Sequence, residues 1–263
     1  NAQRFPAGLD PVVAQATAAG MGFGLWFAPD SSNDFANWEK DAGVIVEAFQ
    51  RWGVRHVKID GVKATTKAGE GNLARFLDRV VQRTDGALAF DLDVTAEIRP
   101  GYFGAMHAGP LFLENRYSDW RTWWPHATLR NLWQLAWYVP PQRLRMEFLN
   151  PTRNAAKYGD DPLAPAAYPA EYPFATTLVA QPLAWMEVSQ LPAKVAKPVA
   201  ALATIWKQHR DRLHAGTIVP IGACPDGGAW TGFCALTAEG ADVLVFRERT
   251  PTADALLELP VRD

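Results

Sequence analysis

The sequence lacks the features by which several classes of protein are recognised. No apolar run reaches the roughly 18 residues that a membrane-spanning helix needs. The longest candidate, Thr176–Met186, is interrupted by glutamine and proline. The formal net charge is -2, which provides no basic surface for nucleic acid or for an anionic membrane. We therefore expect neither a membrane span nor a nucleic-acid partner.

Cysteine and histidine are scarce, and neither shows the spacing of a metal site. The two cysteines, Cys224 and Cys234, match no zinc or redox motif. They could pair across a hairpin, and two buried free thiols are the favoured alternative. The five histidines are scattered, and the Walker A, G-x-G-x-x-G, G-x-S-x-G and H-E-x-x-H motifs are absent. We therefore expect no cofactor and no metal.

Apolar and aromatic residues are present in the amounts that a folded domain needs. Hydrophobic residues make up 48% of the 263 and charged residues 21%, so the chain can build a sizeable core. That length suits one large α/β barrel or two small domains. The eleven tryptophans are a surplus, which indicates either an aromatic core or faces that stack on a ligand.

Hydrophobic periodicity predicts that strands and helices alternate along most of the chain. Six strands are predicted at Gly22–Ala28, Arg55–Asp60, Ala87–Val94, Pro110–Arg116, Leu144–Asn150 and Pro182–Ser189. Helices are predicted at Asn37–Trp52, Gly71–Arg83, Ala127–Tyr138 and Val195–His214. Antiparallel strands are predicted in the tail, at Thr217–Gly222, Trp230–Leu236, Ala241–Arg247 and Leu256–Pro260. The stretch Pro151–Pro173 is predicted to be a long loop.

This alternation favours a parallel sheet with crossover helices. Six strand–helix units fit either a (β/α)8 barrel that lacks two units or an open doubly wound sheet. Near Ala215 and Gly216 the sequence pattern changes from alternating strands and helices to short β-like segments. We therefore predict one domain over residues 1–215 and a second over residues 216–263.

Acidic and polar residues collect where the predicted parallel strands end, which is the edge that carries the site in both architectures. Residues at or near these ends include Asp30, Asp60, Asp91, Asp93 and Asn150. An aspartate at a strand end can instead cap the next helix, and that alternative stays open for any single one. The set as a whole, with tryptophan among it, favours a functional site.

Two carboxylates in this set suit the two roles of glycoside hydrolysis. Lys58 and Asp60 share a face because side chains alternate along a strand, and the ammonium would keep Asp60 ionised, as a nucleophile requires. Asp119 lies among Tyr117 and three tryptophans. An aromatic setting tends to raise the pKa of a carboxyl group, as a general acid requires.

Three blocks of the sequence read FPAGLDPVV…GMGFGLWFAPD, RWGVRHVKIDG and LFLENRYSDW…TLRNLWQLAWYVP. Together they resemble glycoside hydrolase family 36, the melibiase-type α-galactosidases, which are retaining enzymes built on (β/α)8 barrels. The resemblance covers most of Phe5–Pro192, and the tail is similar to the start of the family's C-terminal β domain. It implies an α/β fold, a (β/α)8 TIM-barrel-type catalytic domain that lacks its first two strands, followed by part of an antiparallel β domain.

The resemblance also implies roles for single residues. The W-G-V-x-x-x-K-x-D block is similar to the family's fourth barrel strand, whose terminal aspartate is the nucleophile, and this role falls on Asp60. The R-x-S-D block is similar to the motif that delivers the acid/base, and that role falls on Asp119. By the resemblance, the candidates for sugar binding are Trp26, Lys58 and Arg116. Further candidates, from the strand ends and the segment after the third strand, are Asp30, Asp93, Arg99 and Asn150.

One block departs from the family. The cysteine- and glycine-rich segment that many members carry on the fifth strand is replaced by FDLDVTAE at residues 90–97, which leaves the sugar specificity open. We expect a retaining hydrolase of terminal α-linked galactose or a related α-glycoside, with its two carboxyl groups roughly 5–5.5 Å apart. The alternatives are an inactive barrel fragment or sugar-binding pseudoenzyme and an open-sheet binding protein.

The expected absence of two strands has a consequence for association. It would leave Gly22–Ala28 and Pro182–Ser189 as exposed edges of the sheet. Unpaired edges with apolar side chains promote association. We therefore expect the isolated chain to be poorly soluble or to assemble, as a homo-oligomer or with another partner. The expected substrate is a carbohydrate.

Overall fold

The computed structural model describes residues 3–94, 101–113 and 122–260. The predicted residues Arg99, Arg116 and Asp119 lie outside these ranges. The chain divides into two compact units, Asn1–Phe112 and Leu113–Asp263, which are described one after the other.

The first part of the chain alternates helices and parallel strands. Its elements are α1 (Asp10–Ala18), β1 (Gly24–Phe27), α2 (Trp38–Trp52), β2 (His56–Ile59), α3 (Lys67–Arg83), β3 (Ala89–Asp93), a 3-10 turn at Tyr102–Ala105 and β4 (Leu111–Leu113). Neighbouring strands pair in parallel, with Trp26 opposite Lys58 and Lys58 opposite Asp91. The register therefore brings polar side chains of three strands into line.

Apolar spacing and end caps explain why α2 and α3 form here. In α2 the buried residues are Ala42, Ile45, Val46 and Ala48, and in α3 they include Leu73, Phe76, Leu77 and Val80. Both sets recur at three- and four-residue intervals, as one face of a helix requires. Gly53 ends α2 at φ 65°, and its N–H donates to the Phe49 carbonyl. Thr66 caps α3 by accepting from the Gly69 N–H at 3.0 Å.

The remaining chain carries the rest of the parallel strands and an antiparallel sheet. Its elements are α4 (Pro125–Leu135), β5 (Leu144–Glu147), α5 (Tyr172–Ala175), β6 (Gln181–Leu183), α6 (Ala193–Ala215), β7 (Thr217–Gly222), β8 (Trp230–Thr237) and β9 (Gly240–Arg247). Strands β5 and β6 pair in parallel, whereas β7, β8 and β9 pair antiparallel. A core of Phe148, Phe174 and Leu178 packs against Trp206 of α6.

The predicted parallel sheet of six strands is confirmed. One six-stranded sheet runs β1-β2-β3-β4-β5-β6, and a separate three-stranded sheet runs β7-β8-β9. A closed eight-stranded barrel is not present among the described strands. The change from parallel to antiparallel pairing falls between α6 and β7, at residues 215–217, and the assignment of two domains at that point stays a prediction.

Three sequence predictions need correction. Leu256–Pro260 is not a strand, and Leu256 is 96% exposed, so the apolar spacing there does not report a buried face. The stretch Pro151–Pro173 is not structureless, because it contains 3-10 turns at Ala155–Lys157 and Pro165–Ala167. Both cysteines are free thiols, as favoured, but only Cys234 is buried, and Cys224 is exposed.

Candidate active site

Asp60 follows directly after β2, and backbone contacts fix its position. Its N–H donates to the Phe27 carbonyl of β1 at 3.0 Å, which extends the parallel ladder by one bond. The Gly61 N–H donates to Asp60 Oδ1 at 2.8 Å. Gly61 has φ +66°, a conformation that residues with a Cβ rarely adopt. The sequence Asp-Gly thus turns the chain sharply at the strand end and orients the carboxylate.

The other oxygen of Asp60 receives two side-chain donors. Lys58 Nζ lies 2.6 Å from Oδ2, and the indole Nε1 of Trp26 donates to the same oxygen at 3.1 Å. The Asp60 side chain keeps 18% of its surface exposed, whereas Lys58 keeps 9%. Trp26 itself is 60% exposed. The arrangement holds an accessible carboxylate in one orientation beside an open aromatic surface.

Lys58 is shared between two carboxylates. Its Nζ also lies 2.8 Å from Asp93 Oδ2, and the Asp93 side chain has 0% exposure. The ring of Phe112 lies beside the same ammonium, with its centroid 4.8 Å from Nζ. A buried charge is retained when it is paired and hydrogen-bonded, and both conditions are met here. Asp93 therefore anchors the lysine from the interior while Asp60 faces the accessible side.

A second contact between a basic and an acidic side chain lies at the start of β2. His56 Nε2 and Asp91 Oδ2 are 2.5 Å apart, with side-chain exposures of 32% and 5%. The histidine was missed as a candidate because its spacing to the other histidines fits no ligand pattern. Parallel pairing supplies the signal, since Lys58 lies opposite Asp91 and residues two apart share a face. One face of β2 and β3 thus carries four alternating basic and acidic side chains.

Asp30 structures the loop after β1. Its Oδ1 accepts from the Ser32 N–H at 3.0 Å, and its Oδ2 accepts from Asn37 Nδ2 at 2.7 Å. A hydrogen bond from the Ser32 side chain contributes most to lowering the pKa of Asp30 to about 2, and the bonds from Asn37 and the Ser32 backbone follow. Its own N–H donates to Asp41 Oδ2 at 2.8 Å. Both oxygens of Asp30 are thus engaged within the loop.

The same loop contains a run of three residues in the left-handed conformation. Asn33, Asp34 and Phe35 have φ of 48°, 57° and 58°. Such conformations cost roughly 1–3 kcal/mol each for residues other than glycine and persist only where surrounding contacts hold them. The Thr66 hydroxyl donates to Asp34 Oδ1 at 2.7 Å, and Phe35 is 1% exposed. The loops after β1 and β2 are thereby joined.

Asn150 belongs to the second unit, where it closes a turn after β5. Its Oδ1 accepts from the Thr152 N–H at 3.0 Å and from the Thr152 hydroxyl at 2.7 Å. Of the predicted site residues, the structure brings together Trp26, Lys58, Asp60 and Asp93. Within the described ranges, no group of three or more histidine, cysteine, aspartate or glutamate side chains could hold a metal ion. No helix among those residues could cross a membrane.

No protein-family model and no curated protein matches the sequence. Solved structures do match the fold. A variant of the GH36 α-galactosidase AgaA from Geobacillus stearothermophilus, in complex with 1-deoxygalactonojirimycin, matches with a TM-score of 0.70 and 14% identity, over 100% of this chain and 42% of its own. The α-galactosidase from Lactobacillus brevis matches with a TM-score of 0.63 and 11% identity, over 91% of this chain and 37% of its own.

A third neighbour is the galactosidase domain of the α-galactosidase-sucrose kinase AgaSK, with a TM-score of 0.58, 11% identity and coverage of 88% of this chain and 38% of that one. The resemblance to family 36 is confirmed at the level of the fold, which is all that such identities show. The chain spans 42% of the length of the first of these α-galactosidases.

Proposed function

We propose that this chain contributes the nucleophile of a retaining glycoside hydrolase that acts on terminal α-linked galactose or a related α-glycoside. The observation that carries the proposal is the accessible Asp60 carboxylate, held by Lys58 and Trp26 at the strand ends of a fold shared with family 36 α-galactosidases. Retaining hydrolysis requires such a carboxylate to form a covalent ester with the sugar.

In the first step Asp60 attacks the anomeric carbon while the bond to the leaving oxygen breaks. A carbon–oxygen ester bond forms, and a general acid donates its proton to the leaving group. Lys58 lies at 2.6 Å, where it fixes the carboxylate and offsets the charge that neighbouring Asp93 places nearby. In the second step the deprotonated general acid takes a proton from water, and the water oxygen displaces the carboxylate, which restores the original configuration at the anomeric carbon.

The general acid is assigned to Asp119 from its sequence block. We further propose that Arg99, Arg116 and Asn150 bind sugar hydroxyls and that the exposed face of Trp26 stacks on a sugar ring. Asp93 has 0% exposure, so we assign it the positioning of Lys58 instead of a direct contact with the sugar. Asp30 is assigned a similar role in holding the loop after β1.

The test is hydrolysis of a panel of nitrophenyl glycosides, with the anomeric configuration of the product followed by NMR. We expect α-galactoside cleavage with retention, and loss of turnover in Asp60→Ala. Azide should restore activity in that variant and give the inverted glycosyl azide, because it takes the place of the missing carboxylate. Glu39→Ala, at a side chain 66% exposed on α2, is the matched control and should behave as the parent.

Other results would decide against the proposal. Inverted configuration of the hydrolysis product would exclude the covalent mechanism, and normal turnover in Asp60→Ala would exclude this nucleophile. Sugar binding without any turnover of the panel would favour a sugar-binding pseudoenzyme.

A further inference from the structure

A cleft in the second unit lies between the residues before α5 and the end of β9. Its volume is about 590 Å³, within the range of roughly 300–1,000 Å³ typical of ligand sites. It is lined by Tyr168, Pro169, Tyr172 and residues 247–251. None of these residues belongs to the proposed active site, so the cleft needs its own explanation.

Stacked side chains make the wall of this cleft rigid. The rings of Tyr168 and Tyr172 stack with centroids 4.5 Å apart, and Phe246 meets Tyr172 edge-on at 5.9 Å. The guanidinium of Arg249 lies 5.0 Å from the Tyr168 ring and donates to the Ala167 carbonyl. Side chains locked in this way lose little conformational entropy when they bind a ligand.

Glu248 is the unusual residue of the cleft, because it is a carboxylate with only 3% exposure. Its Oε2 accepts three backbone N–H groups, from Asp226 at 3.1 Å, Gly227 at 2.9 Å and Ala229 at 3.0 Å. Its Oε1 is buried and has no hydrogen-bond partner among the described residues. One oxygen thus organises the turn before β8, and the other is left as an acceptor.

The hydroxyl of Tyr172 is another buried polar atom of the cleft that has no hydrogen-bond partner in the described part of the chain, and the hydroxyl of Tyr168 is a third. Burial, and after it the charge of Glu248, raises the pKa of Tyr172 well above its ordinary value, so the group stays an O–H donor. A buried polar group without a partner destabilises the fold, because it has lost its hydrogen bonds to water and gained none in return. An acceptor and a donor left open in one cleft are suited to a molecule that carries hydroxyl groups.

The charges around the cleft narrow the chemistry of that molecule. Arg247 and Arg249 both line it, and two guanidinium groups disfavour a cation. An anion is disfavoured as well, because the open lone pairs of Glu248 Oε1 require a hydrogen-bond donor. A neutral polyhydroxylated molecule satisfies both conditions, since each hydroxyl can donate to the carboxylate and accept from the tyrosine or an arginine.

We propose that this cleft binds a neutral saccharide unit, with one hydroxyl donating to Glu248 Oε1 and another accepting from the Tyr172 O–H. The cleft shares no residue with the proposed active site, and binding there does not depend on the activity of Asp60. Substrate chains that reach this surface would be held at a second point, apart from the bond that is cleaved.

The test is titration of the full chain with D-galactose and D-glucose, followed by saturation-transfer NMR. The charged analogues D-glucosamine and D-glucuronate are titrated in parallel. We expect saturable binding of at least one neutral hexose and weaker binding of both charged analogues. Tyr172→Phe removes one hydroxyl and should raise the dissociation constant about threefold to tenfold, the value of one hydrogen bond. Tyr138→Phe, at a side chain 83% exposed elsewhere, is the matched control and should not change it.

Glu248→Gln should weaken the binding further, with urea denaturation to verify that the turn at residues 226–229 remains folded. Asp60→Asn separates the two proposals, because the Tyr172-dependent binding should survive it whether or not the chain hydrolyses glycosides. Equal affinity in Tyr172→Phe and the parent, or no hexose binding at all, would show that water alone fills this cleft. Tighter binding of either charged analogue than of the neutral hexoses would overturn the proposal that the ligand is a neutral saccharide.

Discussion

Replacement of Lys58 by methionine tests the electrostatic centre of the candidate site. Methionine has a similar length and no charge, so the change removes the ammonium from between Asp60 and Asp93. The Asp93 side chain has 0% exposure, and water cannot take the place of the lost partner without a rearrangement of the interior. We therefore expect a large loss of stability from a single substitution.

The size of the effect follows from the distance between the charges. For Lys58 Nζ and Asp93 Oδ2 at 2.8 Å, Coulomb attraction is about 6 kcal/mol at an effective dielectric constant of about 20. Burial of both ions cancels part of this attraction in the parent. Removal of one partner from a buried pair typically costs about 3–5 kcal/mol, since the other charge stays in the interior. We expect a loss of that size, which lowers the melting temperature by about 6–20 °C.

Urea denaturation followed by tryptophan fluorescence measures this change. Lys63→Met is the control, because Lys63 is an exposed lysine in the connection that follows β2 and should change stability by less than about 0.5 kcal/mol. In a double-mutant cycle with Asp93→Asn, the two changes should be non-additive by about 0.5–3 kcal/mol. If Lys58→Met unfolds within about 0.5 kcal/mol of the parent, or if the two substitutions are additive, the buried pair does not hold the site.

Three further predictions concern the framework of the two units. Thr66→Ala should cost about 0.5–2 kcal/mol of unfolding free energy because α3 loses its cap, whereas Thr66→Ser should stay near the parent in the same assay. Gly43→Ala, at an open position of α2, should stabilise the protein by about 0.5–1 kcal/mol. Gly232→Ala should destabilise it, because the new Cβ would lie 2.1 Å from a carbonyl oxygen of β9. A Gly232→Ala variant as stable as the parent would contradict this geometry. Because the pKa of Asp30 is lowered in the folded protein, the hydrogen bonds to its carboxylate should stabilise the loop above about pH 4 and be lost as the pH falls through about 2. A carbon-13 NMR titration of the Asp30 carboxyl group with a midpoint near 4 would refute this.

The sequence predicted the layout of the sheet well because burial imposes a strong pattern. Strands β2 and β3 alternate apolar with polar residues, and α2 and α3 repeat apolar residues at helical spacing. Helix α1 was missed because none of its residues is buried, so no apolar face marks it. Only the aspartate and proline at its start, Asp10 and Pro11, indicate a helix.

The contact at the centre of the site was predictable from the sequence, whereas the contacts that hold the surrounding segments in place were not. The spacing of Lys58 and Asp60 placed them on one face, and the structure confirms that they are in contact. The left-handed run at residues 33–35 and the hydrogen bond between His56 and Asp91 depend on contacts between segments far apart in the chain. Such contacts produce no periodic pattern of residues in a single sequence.

The central claim is that Asp60 forms the covalent bond to the sugar, and trapping of that bond tests it most directly. A fluorinated α-galactosyl fluoride slows breakdown of the glycosyl ester, so that peptide mass spectrometry can locate the label. We predict one label per chain, on the peptide that contains Asp60, and none in Asp60→Ala. A label on Asp93 or on another residue, or a chain that stays unlabelled, would contradict the assignment.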